Sequence, residues 1–87
     1  MRVLVVGGYG GLGAVICEQF AAEGARVAVA GRSLEKASEL AEKLRAGDAT
    51  ALGLALDVTD QPSIDAAVAA VVESWGGIDV LVNSASK

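Results

Sequence analysis

The segment Val3-Leu4-Val5-Val6-Gly7-Gly8-Tyr9-Gly10-Gly11-Leu12-Gly13 constrains the fold more than any other stretch of the chain. A β-branched run ends in five glycines within seven residues, and a helical pattern follows at once. That order describes a strand, a tight turn and a helix N-terminus able to hold a phosphate. Backbone N–H groups reach a pyrophosphate closely only where side chains are absent. The sharp turn calls for positive φ, and a last glycine lets the helix pack tightly on the strand. The glycines fit three spacings. Gly8, Gly10 and Gly13 make G-x-G-x-x-G; Gly7, Gly10 and Gly13 make G-x-x-G-x-x-G; Gly7, Gly11 and Gly13 make G-x-x-x-G-x-G. The loop indicates a dinucleotide ligand and leaves the subclass open.

Beyond the loop, strand and helix patterns alternate. Residues 2–6 read as the first strand, and Gly11 to Glu23 as a helix stopped by Gly24. Arg26 to Ala30 reads as the second strand. Ser33 is a good N-cap for a helix with Glu35 in its first turn and Leu34, Ala37, Leu40, Ala41 and Leu44 on one face, ended by Gly47. Ala51 to Leu56 reads as the third strand. A helix follows Thr59-Asp60, with Pro62 in its first turn and Ile64, Ala67, Val68, Val71, Val72 and Trp75 on one face, before Gly76-Gly77. Ile78 to Val82 is the fourth strand. The alternation β-α-β-α-β-α-β predicts one α/β domain over residues 1–87, with a parallel Rossmann-like sheet in the order 3-2-1-4 and helices on both faces.

Composition narrows the function classes. The chain has 87 residues, 53% hydrophobic but only 3% aromatic, so its core is built from Ala, Val, Leu and Ile, as in thin-layered α/β folds. A chain of this size buries only about 60–65% of its unfolded surface, which predicts marginal stability. The net charge of −4, with seven dispersed basic residues, argues against nucleic acid as a partner. No apolar run reaches the roughly 18 residues that span a membrane, and no signal-peptide pattern precedes the first strand. The expectation is therefore a cytoplasmic protein without a membrane partner. Cys17 is the only cysteine and histidine is absent, so an intrachain disulfide, a zinc site and Ser-His-Asp chemistry are excluded within these residues.

The end of the second strand bears on which dinucleotide binds. An Asp or Glu about 20 residues after the glycines holds the ribose 2′-OH of NAD. Here the sequence is Ala30-Gly31-Arg32-Ser33. No carboxylate repels a 2′-phosphate, Arg32 can pair with one, and Ser33 adds a hydroxyl at a helix N-terminus. A charge-assisted hydrogen bond contributes about 1.5–3 kcal/mol, or roughly a tenfold to hundredfold preference for NADP over NAD.

Three segments together resemble the short-chain dehydrogenase/reductase family: Val6 to Gly13, then Leu56-Asp57-Val58-Thr59-Asp60, then Trp75-Gly76-Gly77-Ile78-Asp79-Val80-Leu81-Val82-Asn83-Ser84-Ala85. The resemblance spans the whole chain and implies the following roles. Gly7, Gly11 and Gly13 take the three glycine places of the family's T-G-x-x-x-G-x-G, with Gly8, Tyr9, Gly10 and Leu12 between them. Asp57 and the Val58 backbone meet the adenine; a turn or cap role is the alternative for Asp57. Asn83, Ser84 and Ala85 stand in the family's N-N-A-G; Asn83 supports the sheet, with cofactor contact as its alternative, and the backbone beside it lines the adenine ribose. The chain departs from the pattern at Val6, where the family's Thr braces the loop, at Gly10, where many NADP-preferring members are basic, and at Ser84 and Ser86. The Gly-Gly-Tyr-Gly stretch is also similar to saccharopine-reductase-type domains, and Gly-Gly-x-Gly-Gly-Leu-Gly to polyketide ketoreductases.

The resemblance also implies a Ser and a Tyr-x-x-x-Lys as the proton-transfer machinery. Tyr9 is the only tyrosine, and Gly13 stands four residues on. No catalytic or metal-ligating residue is therefore assigned here. The expectation is the cofactor-binding N-terminal part of a longer NADP(H)-dependent reductase, with a stand-alone dinucleotide-binding or sensor module as the alternative. An exposed fourth strand would invite association with another copy.

Overall fold

The structure, a computed structural model, describes residues 1–7, 9 and 11–84. The elements run β1 (Arg2–Val6), α1 (Gly11–Ala22), β2 (Arg26–Gly31), α2 (Leu34–Ala46), β3 (Ala51–Ala55), α3 (Gln61–Trp75) and β4 (Val80–Asn83). All pairings are parallel, and the strand order is β3-β2-β1-β4. This is the Rossmann-like arrangement that the alternation predicts.

Period-two alternation sorts β1 and β2 between two cores. Val3, Val5, Val27 and Val29 face the cluster built with α1 and α2 through Cys17, Ala37, Leu40, Ala41 and Leu44. Leu4, Val6, Ala28 and Ala30 face the cluster built with α3 through Ala67 and Val71. Val3↔Val27 and Leu4↔Ala28 are in register, so each face carries matched rows. Strands buried on both faces read as continuous apolar runs, which is why Val-Leu-Val-Val and Val-Ala-Val-Ala lack polar alternation.

Gly53 allows close layering of α2 on β3. A Cβ there would lie 2.8 Å from the Ser38 Cα and backbone N, so the helix backbone rests directly on the strand. Capping holds α2 at its start, where the Ser33 Oγ accepts from the Lys36 N–H at 3.2 Å. Gly76 ends α3 in the left-handed conformation (φ 85°), its N–H donating to the Val72 carbonyl.

Several local expectations shift. Leu34 and Val72 share the apolar face of their helices by spacing, yet they are 51% and 45% exposed. Leu34 opens its helix one turn before the buried stripe of Ala37, Leu40, Ala41 and Leu44. Val72 sits about 100° round the helix from the fully buried Val71, at the margin of a narrower stripe. The fourth strand begins at Val80 rather than Ile78, because Asp79 is occupied in a clamp. Its carboxylate accepts from the Arg2 N–H (2.8 Å), Nε (2.9 Å) and Nη2 (3.0 Å). The second strand runs one residue further, to Gly31, and the third ends one residue earlier, at Ala55. Among the described residues β4 pairs only with β1, and Leu81 is 62% exposed along this edge.

Candidate functional site

The C-terminal ends of β1, β2, β3 and β4 converge on one rim of the sheet, where open α/β folds bind ligands. Gly7 leaves β1 with φ 78°, a value glycine adopts without strain, and its N–H donates to the Ala30 carbonyl at 2.7 Å. The chain then enters α1 at Gly11, which is exposed; a Cβ there would meet no heavy atom of the described residues within 4 Å. Leu12 is exposed and Gly13 is buried in the helix. The rim thus presents a helix N-terminus with no side chain over its first residue, the chemistry that suits an anion. Gly8, Gly10 and Ala85 lie outside the described residues.

Ser84 contributes something that its place in the pattern did not suggest. Its hydroxyl donates to the Val6 carbonyl at 2.9 Å and to that of Gly7 at 3.2 Å, while its N–H also donates to the Val6 carbonyl. The expectation that the loop lacks a bracing hydroxyl, drawn from Val6, is therefore corrected. The hydroxyl comes from the end of β4 instead. Asn83, beside it, is exposed and in register with Val6.

At the end of β2, Arg32 is 73% exposed in its side chain, and its Nε lies 3.9 Å from the Asp57 Oδ1. This is a loose pair between two exposed groups, so solvent and salt screen it heavily. The same Oδ1 accepts from the Thr59 N–H at 3.0 Å and from the Thr59 hydroxyl at 2.7 Å. Those two bonds, and then the charge of Arg32, hold the Asp57 carboxyl below its ordinary range. Asp57 is thus the turn-forming residue before α3, and its N–H donates to the Ser63 Oγ. Its other carboxylate oxygen takes no part in the turn. Val58, next to it, is exposed.

Tyr9 crosses from the glycine loop to β2. Its ring lies against Gly31, where a Cβ would collide with the Cε2 of the ring. Its hydroxyl accepts from the Ser33 N–H at 3.1 Å, and the Lys36 Nζ lies 5.9 Å from the ring centroid. Neither this contact nor the Ser84 brace has a local signal in the sequence. The partners are 24 and 77–78 residues apart and meet only through strand register.

Cys17 lies in the core under α1, away from the rim. Burial, and then the charge of Glu18, pushes its thiol up to about 11, which keeps it protonated and unreactive. Among the described residues, no helix is long and apolar enough to cross a membrane.

Comparison with known proteins agrees with this geometry. The family described as short chain dehydrogenase matches residues 1–87. A sorbitol dehydrogenase of Cereibacter sphaeroides is 47% identical over 83 residues, covering 95% of this chain and 31% of that protein. The crystal structure of a sorbitol-6-phosphate 2-dehydrogenase from Erwinia amylovora superposes with a TM-score of 0.92 at 38% identity, over 98% of this chain and 34% of the other. A variant of actinorhodin polyketide ketoreductase with NADPH superposes with a TM-score of 0.93 at 41% identity, over 99% of this chain and 33% of the other. The chain spans about a third of the length of these relatives.

Proposed function

The chain belongs to the short-chain dehydrogenase family, and on that premise we propose that it is the NADP(H)-binding N-terminal part of an oxidoreductase acting on a carbonyl or alcohol substrate. The observation that carries this reading is the pairing, on one rim, of a side-chain-free α1 N-terminus with Arg32 at the end of β2, where a carboxylate would select NAD. NADPH in the ketoreductase relative supports the choice of cofactor.

In this reading Gly7, Gly8, Gly10, Gly11, Leu12 and Gly13 lend backbone N–H groups and space to the pyrophosphate. Arg32 and Ser33 hold the 2′-phosphate, and Tyr9 borders it. Asp57 and Val58 meet the adenine, and Asn83, Ser84 and Ala85 the adjoining ribose. The bound cofactor supplies or accepts the hydride. The residues of this chain bind and orient the dinucleotide, and none of them is assigned the proton transfer. A phosphate dianion competes well for Arg32, because its present partner is the exposed Asp57 at 3.9 Å. We assign the protein to the cytoplasm. The open β4 edge is the place where a second copy or a further strand would pair.

The test is titration of the native protein with NADPH and NADH, before and after Arg32→Ala. The expected result is a preference for NADPH that falls roughly tenfold or more in the variant. Equal affinities for the two cofactors in the unmodified protein would overturn the NADP assignment. Saturable binding without hydride transfer in any assembled form would favour the alternative, a stand-alone dinucleotide-binding or sensor module.

A further inference from the structure

We infer that Tyr9 is a specificity-determining residue whose hydroxyl, held by the Ser33 N–H, donates to the phosphate on the adenosine ribose. This rests on the NADP(H) reading above and deepens it. A phenol carries one donor proton and two acceptor lone pairs. The Tyr9 oxygen uses an acceptor position on the Ser33 N–H at 3.1 Å, and its own proton remains to be donated. An N–H donated to that oxygen polarises the O–H and strengthens its onward bond.

Location decides what that proton can serve. Ser33 follows Arg32 directly, so the Tyr9 hydroxyl is anchored to the peptide next to the residue that would pair with the phosphate. The position is well defined. The ring lies against Gly31, where even a Cβ has no room, and the Lys36 Nζ lies over the ring, 5.9 Å from its centroid. The hydroxyl meets the N-terminus of α2 through the Ser33 N–H, with Lys36 over its ring and Arg32 next in sequence. Glu35 in the first turn of α2, Glu18, Glu39 and Glu42 beside Tyr9 and Lys36, and Asp57 beside Arg32 are the neighbouring acids. A neutral 2′-OH would gain an ordinary hydrogen bond from the phenol. A phosphate would gain a charge-assisted one, about twice as strong. The hydroxyl therefore discriminates between the two cofactors, whereas the ring only covers Gly31.

Tyr9→Phe separates these roles, because it keeps the ring and removes the hydroxyl. NADPH and NADH dissociation constants are measured on the native protein, on Tyr9→Phe and on Arg32→Ala, with a thermal melt of each without cofactor. Tyr9→Phe is expected to weaken NADPH about tenfold, a change of about 1.4 kcal/mol, and NADH only about threefold, because the bond to a neutral 2′-OH is about half as strong. Equal weakening of both cofactors, or a lower melting temperature with an unchanged NADPH-to-NADH ratio, would mean that the hydroxyl serves only the fold. Tighter NADPH binding in Tyr9→Phe would mean that the hydroxyl blocks the Ser33 N–H; each of these results overturns the inference. If Arg32→Ala also leaves the ratio unchanged, the NADP(H) reading itself falls. If Arg32→Ala lowers the ratio and Tyr9→Phe does not, only the inference about Tyr9 falls.

Discussion

Replacing Gly11 with alanine sets folding against cofactor binding at a single atom. Gly11 is the first residue of α1, and its φ is not positive, unlike those of Gly7, Gly24 and Gly76. The added Cβ meets no heavy atom of the described residues within 4 Å. Alanine therefore enters the helix without a clash and narrows the unfolded ensemble, a gain of about 0.4–1 kcal/mol. For a domain of this size that corresponds to a melting temperature roughly 2–8 °C higher. The same methyl group projects at the helix N-terminus that, in the proposed reading, the pyrophosphate approaches closely. Displacing one charge-assisted bond from an N–H removes about 1.5–3 kcal/mol, so NADPH should bind about tenfold to a hundredfold more weakly. A thermal melt without cofactor and a fluorescence titration with NADPH read the two effects separately. A stabilised variant with unchanged NADPH affinity would refute the phosphate-cradle argument, and a destabilised one would refute the packing argument.

Two further predictions concern the frame around the site. Gly53→Ala drives a Cβ against the Ser38 backbone, which cannot yield as a flexible side-chain tip can. Denaturant unfolding should show a loss of about 1–3 kcal/mol, and a midpoint equal to that of the unmodified protein would mean that α2 is free to move off β3. The Asp79 carboxyl is held well below the usual carboxylate range by its bonds from Arg2. Its contribution to stability is thus complete above the ordinary aspartate value of about 4 and is lost as pH falls through the lower folded value. Asp79→Asn should flatten the acid side of the stability profile below about pH 4; an unchanged slope there would show that the Arg2 clamp carries no linkage.

The fold was legible because its signals are local. Runs of Val and Leu bounded by glycine, a Ser33 cap and helical apolar spacing each act within a few residues, and seven elements followed from them. Parallel order then came from general rules of crossover handedness. The misplaced details share a different origin. Leu34 and Val72 have the apolar character of their buried neighbours, and only the width of the layer beneath decides which of them water reaches. Val80 opens β4 because the Asp79 carboxylate takes the backbone N–H of Arg2, almost the whole chain away, in place of a strand carbonyl.

The candidate site divides in the same way. The glycine loop and the absence of a carboxylate after β2 are written in adjacent residues, so the kind of ligand, a dinucleotide phosphate at a helix N-terminus, could be reasoned from the sequence alone. Asp57 shows where that reasoning stops. A turn and an adenine contact were both compatible with its place, and only the fold showed its Oδ1 taken up by Thr59. The Ser84 brace and the Tyr9–Ser33 bond were beyond sequence reasoning altogether. Side chains whose positions are set by their own neighbours leave a pattern in the chain. Contacts that depend on the register of parallel strands, joined by long crossovers, exist only once the sheet has formed.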